Sequence, residues 1–245
     1  FKQKTAYEIY QGDWGSDVCS SDLARLDHGG SIDTMSTDAL AETCTAWQEH
    51  RDASSLIRAA ARVISGVPHY FQADFITHLE QQARGDHGAL MHASTLMTNL
   101  AKAAPRTVEE WRTQTGVDGS GCAARGIAAK PAASGIDAEI ERAVTRPGAT
   151  LNMPLWGFSL SEDVARTFGD RFLFRLQGRF SALPAWVHSG RKDGEQEMIG
   201  GGGYRVLGTR TEGDTLIVDL KQHAVPMYDA HDLDCLLGDS IANGD

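Results

Sequence analysis

Near Gly116 the spacing of apolar residues changes from a period that winds into helices to one that pleats into strands. That switch limits the fold more than any other feature of the chain. Before it, Leu40, Cys44 and Trp47 fall at helical spacing, and Leu56, Ile57, Ala60, Val63 and Ile64 repeat it over a longer run. Gly66-Val67-Pro68 ends that run, because proline disfavours a helical residue before it. A further helix is predicted to carry Phe71, Phe75, Ile76 and Leu79 and to close near Gly85. Another carries Leu90, Met91, Leu96, Met97 and Leu100 and stops before Pro105. Thr107 with Glu110 matches a capping box, in which each side chain satisfies an orphan backbone N–H, and it starts a short helix bearing Trp111.

Residues 116–136 are rich in Gly, Ala and Ser, and strand-type runs dominate beyond them. Candidate strands are Arg171 to Leu176, Ala185-Trp186-Val187, Tyr204 to Leu207 and Thr215 to Leu220, set between turn signals at Gly178, Gly208 and Gly213-Asp214. An amphipathic helix from Asp137 to Val144 interrupts them, and a second is expected from Asp163 to Phe168. The run Gly200 to Gly203 reads as a flexible turn; no Lys-Ser/Thr follows, so it is not a phosphate-binding P-loop. Helices first and strands after predict an α+β fold rather than an alternating α/β one.

Composition removes several function classes. The chain of 245 residues carries a net charge of −10 and no long Lys/Arg cluster, so nucleic-acid phosphates are not an expected partner. No apolar run is long enough for a membrane-spanning helix. The four cysteines lie far apart with no C-x-x-C pair, which speaks for buried thiols rather than zinc ribbons or redox motifs. The nine histidines show no H-E-x-x-H spacing, and no metal site is expected.

Phe1 to Leu23 resembles the conceptual translation of a sequencing-library adapter: KQKTAYEI matches its front and DW-x-SDVCSSDL its back. The segment shows no sustained helical or strand period and is set aside from fold reasoning. The expectation that follows is that the natural N-terminus is missing.

Three short segments in the strand-rich half could carry chemistry. In Cys122-Ala123-Ala124-Arg125-Gly126-Ile127 a lone arginine stands among small residues, where a guanidinium could grip a phosphate through two parallel hydrogen bonds. By itself this reads as readily as a surface arginine at a strand end. In Trp156 to Asp163, Ser159 and Ser161 are two apart, so on an extended strand both hydroxyls would face one side. Ser161 could equally cap the helix that follows, with Glu162 and Asp163 in its first turn. In Gly194-Glu195-Gln196-Glu197, the two carboxylates would project to one face at a strand start, a costly arrangement unless a ligand or cation compensates. The alternative is an exposed acidic edge beside Arg191 and Lys192.

Taken in order, Arg125, Phe158-Ser159-Leu160-Ser161 and Glu195-Gln196-Glu197 resemble the arginine–serine–glutamate class of mono-ADP-ribosyltransferases, which includes many bacterial toxins. That family's pattern is an arginine on the first core strand, a Ser-x-Ser strand and a Glu-x-Glu at the end of a mobile loop. The likeness covers residues 120–222. It implies a core of two packed β-sheets around a cleft for NAD, with NAD as a substrate and no metal. By the same resemblance Glu197 would stabilise positive charge on the nicotinamide ribose, Ser159 would position Glu197, and Arg125 with Gly126 and Ser161 would bind the cofactor. Glu195 would orient an acceptor arginine of a protein substrate, recognised through the loop from His188 to Gly194. Family habit implies a secreted toxin or delivered effector.

The organisation that follows is an adapter-like 1–23, a helical subdomain over 24–116, a catalytic domain over 117–226 and a loose acidic tail over 227–245. The sequence departs from the family at Leu160, where threonine is frequent, and in the alanine-rich surroundings of Arg125. An NAD glycohydrolase and a catalytically silent domain of the same fold stay open as alternatives.

Overall fold

The computed structural model describes residues 38–49, 51–67, 74–191 and 196–225. The adapter-like start, the acidic tail, Phe71 and Glu195 lie outside them. The helical half consists of α1 (Asp38–Glu49), α2 (Arg51–Ser65), α3 (Asp74–Gly85), α4 (His87–Lys102) and α5 (Val108–Thr115). The apolar stripes expected from the sequence pack together: Leu40, Cys44, Leu90, Leu96, Met97 and Leu100 are all fully buried in one cluster. Burying each of the larger ones contributes roughly 1.5–3 kcal/mol.

Asp86 caps α4 by accepting the Ala89 N–H at 2.8 Å. At α5 the capping box forms in full: Glu110 accepts the Thr107 N–H at 2.7 Å, and Thr107 accepts the Glu110 N–H at 3.2 Å. The helix stops where Gly116 turns left-handed, with φ of 67°, and the chain passes into the sheet region.

That region contains β1 (Ala123–Ile127), α6 (Ile136–Thr145), β2 (Thr150–Ser159), α7 (Glu162–Thr167), β3 (Phe172–Leu176), β4 (Ala182–Pro184), α8 (Ala185–Ser189), β5 (Glu197–Glu212) and β6 (Thr215–Ala224). The described strands form a six-stranded sheet in the order β2-β1-β3-β6-β5-β4, with β5 also paired to β2. The first half of β5 lies between β2 and β4, and its second half pairs with β6. The expected two sheets are thus joined by hydrogen bonds through this one bent strand. The architecture is α+β, with the helical part first.

Three local expectations are corrected. Gly200 to Gly203 is no turn but buried strand in the middle of β5. The register slips there because Gly202 has φ of 106°, and its open face lies against the carbonyl of Ala224, where any Cβ would overlap. Gly208 likewise sits inside β5, at a second register shift, rather than in a turn. Ala185-Trp186-Val187 is the start of α8, not a strand. Ala185 is fully buried in the helical cluster, so tertiary packing overrides the local strand preference.

The two halves share their packing. Leu155, Leu183 and Ile199 from the sheet lie within the helical cluster. Trp111 of α5 is fully buried with the sheet residues and donates its indole N–H to the Phe180 carbonyl at 3.1 Å. No helix among the described residues is long and apolar enough to cross a membrane.

Candidate active site

A cleft of about 490 Å³ opens between α2 and α3 on one side and β1, β2 and the start of β5 on the other. Arg125, Gly126, Ser159 and Glu197 all line it. A volume in the range of ordinary ligand pockets gives room for an extended molecule.

Glu197 is the first residue of β5 and pairs in register with Ser159, the last residue of β2. Ser159 in turn pairs with Ala124, next to Arg125 on β1. Pairing of three strand ends thus collects segments that lie far apart in the chain. Just before Glu197, Gln196 has φ of 50°, a left-handed conformation that costs a non-glycine residue on the order of 1–3 kcal/mol. Its side chain is tied to the Asp118 carbonyl at 2.9 Å, so this kink is anchored.

The Glu197 carboxylate is held on two sides. Oε1 accepts the indole N–H of Trp47 at 2.9 Å. It also lies over Gly157, where a Cβ would overlap that same oxygen. Arg125 reaches the same spot and donates to the Gly157 carbonyl at 2.6 Å. Glycine at 157 therefore leaves the space that the carboxylate fills.

The serine segment differs from the sequence reading. The strand ends at Ser159, so Ser159 and Ser161 do not form one extended face. The Ser159 hydroxyl accepts the Ser161 N–H at 3.1 Å, and the Ser161 hydroxyl accepts from Val164 at 3.5 Å as the cap of α7. Gly126 lines the cleft by its backbone, but the space beside its Cα is taken by the carbonyls of Ala165 and Gly169. Its lack of a side chain serves the approach of α7 to β1. Glu195 lies outside the described residues, as does 192–194 of the loop before it.

Sequence reasoning missed the contribution of the helical half. Besides Trp47, the guanidinium of Arg58 lines the cleft and stacks over the Trp47 ring with its centre 5.6 Å from the ring centroid. Lys130 adds a further cationic group to the lining, and Arg62 lines it while paired with Glu80 at 2.8 Å, so cationic side chains gather here although the chain is acidic overall. Such a local concentration of positive charge suits a ligand carrying phosphates. The loop expected to meet a substrate is tied to α1 as well: Ser189 donates to Gln48 at 2.5 Å, and Arg191 pairs with Glu49 at 2.6 Å. On a helix whose buried face reads as ordinary core, nothing in the sequence marks Trp47 as a partner of Glu197.

Cys44, one turn before Trp47, is fully buried. Burial, and secondarily the charge of Glu197, pushes its thiol from 9.0 up to about 12. An unfolded thiol loses its proton near 9.0 while the folded one keeps it, so stability is expected to fall as pH rises through the window from 9.0 to about 12. The slope attributable to this group is at most ~1.4 kcal/mol per pH unit. Denaturant midpoints of wild type and Cys44→Val measured from pH 8.5 to 11 check it; equal slopes in the two proteins would refute the assignment.

Among the described residues no cluster of three or more His, Cys, Asp or Glu is arranged to hold a metal ion. No family model and no curated protein matches the sequence. Solved structures with a similar arrangement include three bacterial proteins. Exoenzyme S from Pseudomonas aeruginosa, in complex with human 14-3-3 protein beta, is 17% identical, over 88% of this chain and 96% of that one, with a TM-score of 0.42. Vis toxin, an ADP-ribosyltransferase from Vibrio splendidus, is 13% identical over 90% and 87%, with a TM-score of 0.44. Plx2a, an ADP-ribosyltransferase toxin from Paenibacillus larvae, is 13% identical over 78% and 88%, with a TM-score of 0.47.

Proposed function

We propose that this chain is an NAD-dependent mono-ADP-ribosyltransferase, moving ADP-ribose from NAD to an arginine of a protein acceptor with release of nicotinamide. One observation supports the reading above all others: Arg125, Ser159 and Glu197 line a single cleft, with the Glu197 carboxylate set against Gly157 beside Arg125.

That geometry supports the following chemistry. When the bond between the ribose C1′ and the nicotinamide nitrogen breaks, its electron pair leaves with nicotinamide and positive charge develops on the sugar. A fixed carboxylate next to that charge stabilises the transition state more than the ground state, which is what lowers a barrier. Glu197 is the carboxylate for this role. The guanidinium of Arg125, with the cationic side chains of α2, is assigned to the two phosphates. An incoming guanidinium nitrogen then forms the new bond to C1′ and gives up a proton. Glu195, two positions from Glu197, is assigned to orient that guanidinium and accept the proton. The loop tied to α1 through Ser189 and Arg191 would carry the acceptor-recognising surface.

Incubation with labelled NAD and polyarginine or a cell lysate tests the assignment. Label on protein together with free nicotinamide is expected, and Glu195→Gln should suppress protein labelling by about 10²-fold while nicotinamide release persists. Nicotinamide release without labelling in the wild type would make the chain a glycohydrolase instead. NAD binding without either product would make it a silent binding domain.

A further inference from the structure

We infer that Trp47 is a positioning residue for Glu197, so that the helical half supplies part of the machinery acting on the nicotinamide ribose. The inference rests on the assignment of Glu197 in the proposed transferase. Trp47 is 2% exposed, and its indole N–H donates to Glu197 Oε1 at 2.9 Å across 150 positions of sequence. The other two buried indoles described behave differently. That of Trp111 goes to a backbone carbonyl and that of Trp156 to the Tyr204 hydroxyl, neutral partners that any core would offer. Only for Trp47 among these is the acceptor a carboxylate lining the cleft.

The donor is itself braced. Arg58 lies over the Trp47 ring, and its guanidinium is fixed by the Ser54 carbonyl at 3.1 Å and by the hydroxyls of Ser54 and Ser55 at 3.3 and 3.2 Å. A cation over the ring face draws electron density from the indole and strengthens its N–H as a donor. With Gly157 below and the indole at one oxygen, the carboxylate cannot swing about its last bond without losing a charge-assisted hydrogen bond. A carboxylate that must face a developing charge needs such restraint, because preorganisation is what makes it effective.

The test uses the full chain. Trp47→Phe keeps the ring and removes the N–H. Its kcat for nicotinamide release is expected to fall ~10- to 100-fold, with the KM for NAD changed less than about threefold. The acid limb of its pH profile should move to higher pH, since a carboxylate that loses a donor is protonated more easily. A tryptophan that only filled the core would lower melting temperature and active fraction without moving that limb. A second readout needs no variant at position 47: one indole N–H resonance of the wild type should be displaced by Glu197→Gln and should titrate with the carboxylate. An active wild type whose Trp47→Phe variant keeps its kcat and acid limb overturns the positioning role alone, as does the absence of any displaced indole resonance. A wild type that releases no nicotinamide overturns the transferase reading and this role together.

Discussion

Glu197→Gln is expected to lower nicotinamide release by about a thousandfold while NAD affinity changes only a few-fold. The substitution conserves shape, and the amide oxygen can still accept the Trp47 N–H, so the fold around α1 and β5 has no reason to shift. What disappears is a full negative charge next to the sugar as it becomes positive. The half-buried Glu197 carboxylate is lined by Leu155, Phe158 and Phe174 as well as by Arg125, so water screens its charge only in part and that charge is worth more than it would be in water. Ground-state NAD carries no such charge on its ribose carbon, so binding is spared. Single-turnover nicotinamide release and equilibrium NAD binding, measured on the same preparation, separate the two quantities. A rate within fivefold of wild type would remove Glu197 from the mechanism.

Gly126→Ala is expected to have a large effect on stability. A Cβ at this position overlaps the carbonyl oxygens of Ala165 and Gly169, and both obstacles are backbone. Neither can step aside: Ala165 is within α7 and buried against Ala124, Leu173 and Ile217. Gly169 also lies directly against the backbone of Ile127 and Ala128, the residues that follow Gly126. Overpacking against rigid atoms is expected to cost about 3 kcal/mol. For a chain of this size that lowers the melting temperature by roughly 6–12 °C. Gly208→Ala provides the control, because a Cβ there meets nothing within 4 Å. Equal melting temperatures for the two variants would show that β1 and α7 can separate at little cost. Loss of activity in Gly126→Ala would then follow from displacement of Arg125, one residue earlier on β1.

The helical half was legible because each helix carries its own evidence. The stripe at Leu90, Leu96, Met97 and Leu100 and the capping box at Thr107 and Glu110 are local patterns that need no distant partner. The strands were harder where the signal is tertiary. Gly200 to Gly203 resembles a turn by composition and is strand because it pairs with β2, β4 and β6, while Phe158, Tyr204 and His223 fill the space that larger side chains would need. The short stretch at Ala185 has a strand-like composition and folds as helix because the helical cluster lies against it. For the site, the order of Arg125, Ser159 and Glu197 was readable, and strand pairing explains why they meet. The role of Ser161 was readable only as two alternatives, of which capping is the one seen. Trp47 was not readable at all: its period identified it as core, and a buried indole reveals its acceptor only when the acceptor is in place.

The turn of α1 from Cys44 to Glu49 therefore has a significance for assembly. Its three links to the site, at Trp47, Gln48 and Glu49, span 150, 141 and 142 positions of the chain. Helices and hairpins can form from neighbours in sequence, but contacts this distant must first close very long loops. During refolding, a chain with nearly all its helix and sheet would still have its carboxylate unguided. The contact between Trp47 and Glu197 is therefore expected to be among the last to form in refolding, after most of the helix and sheet.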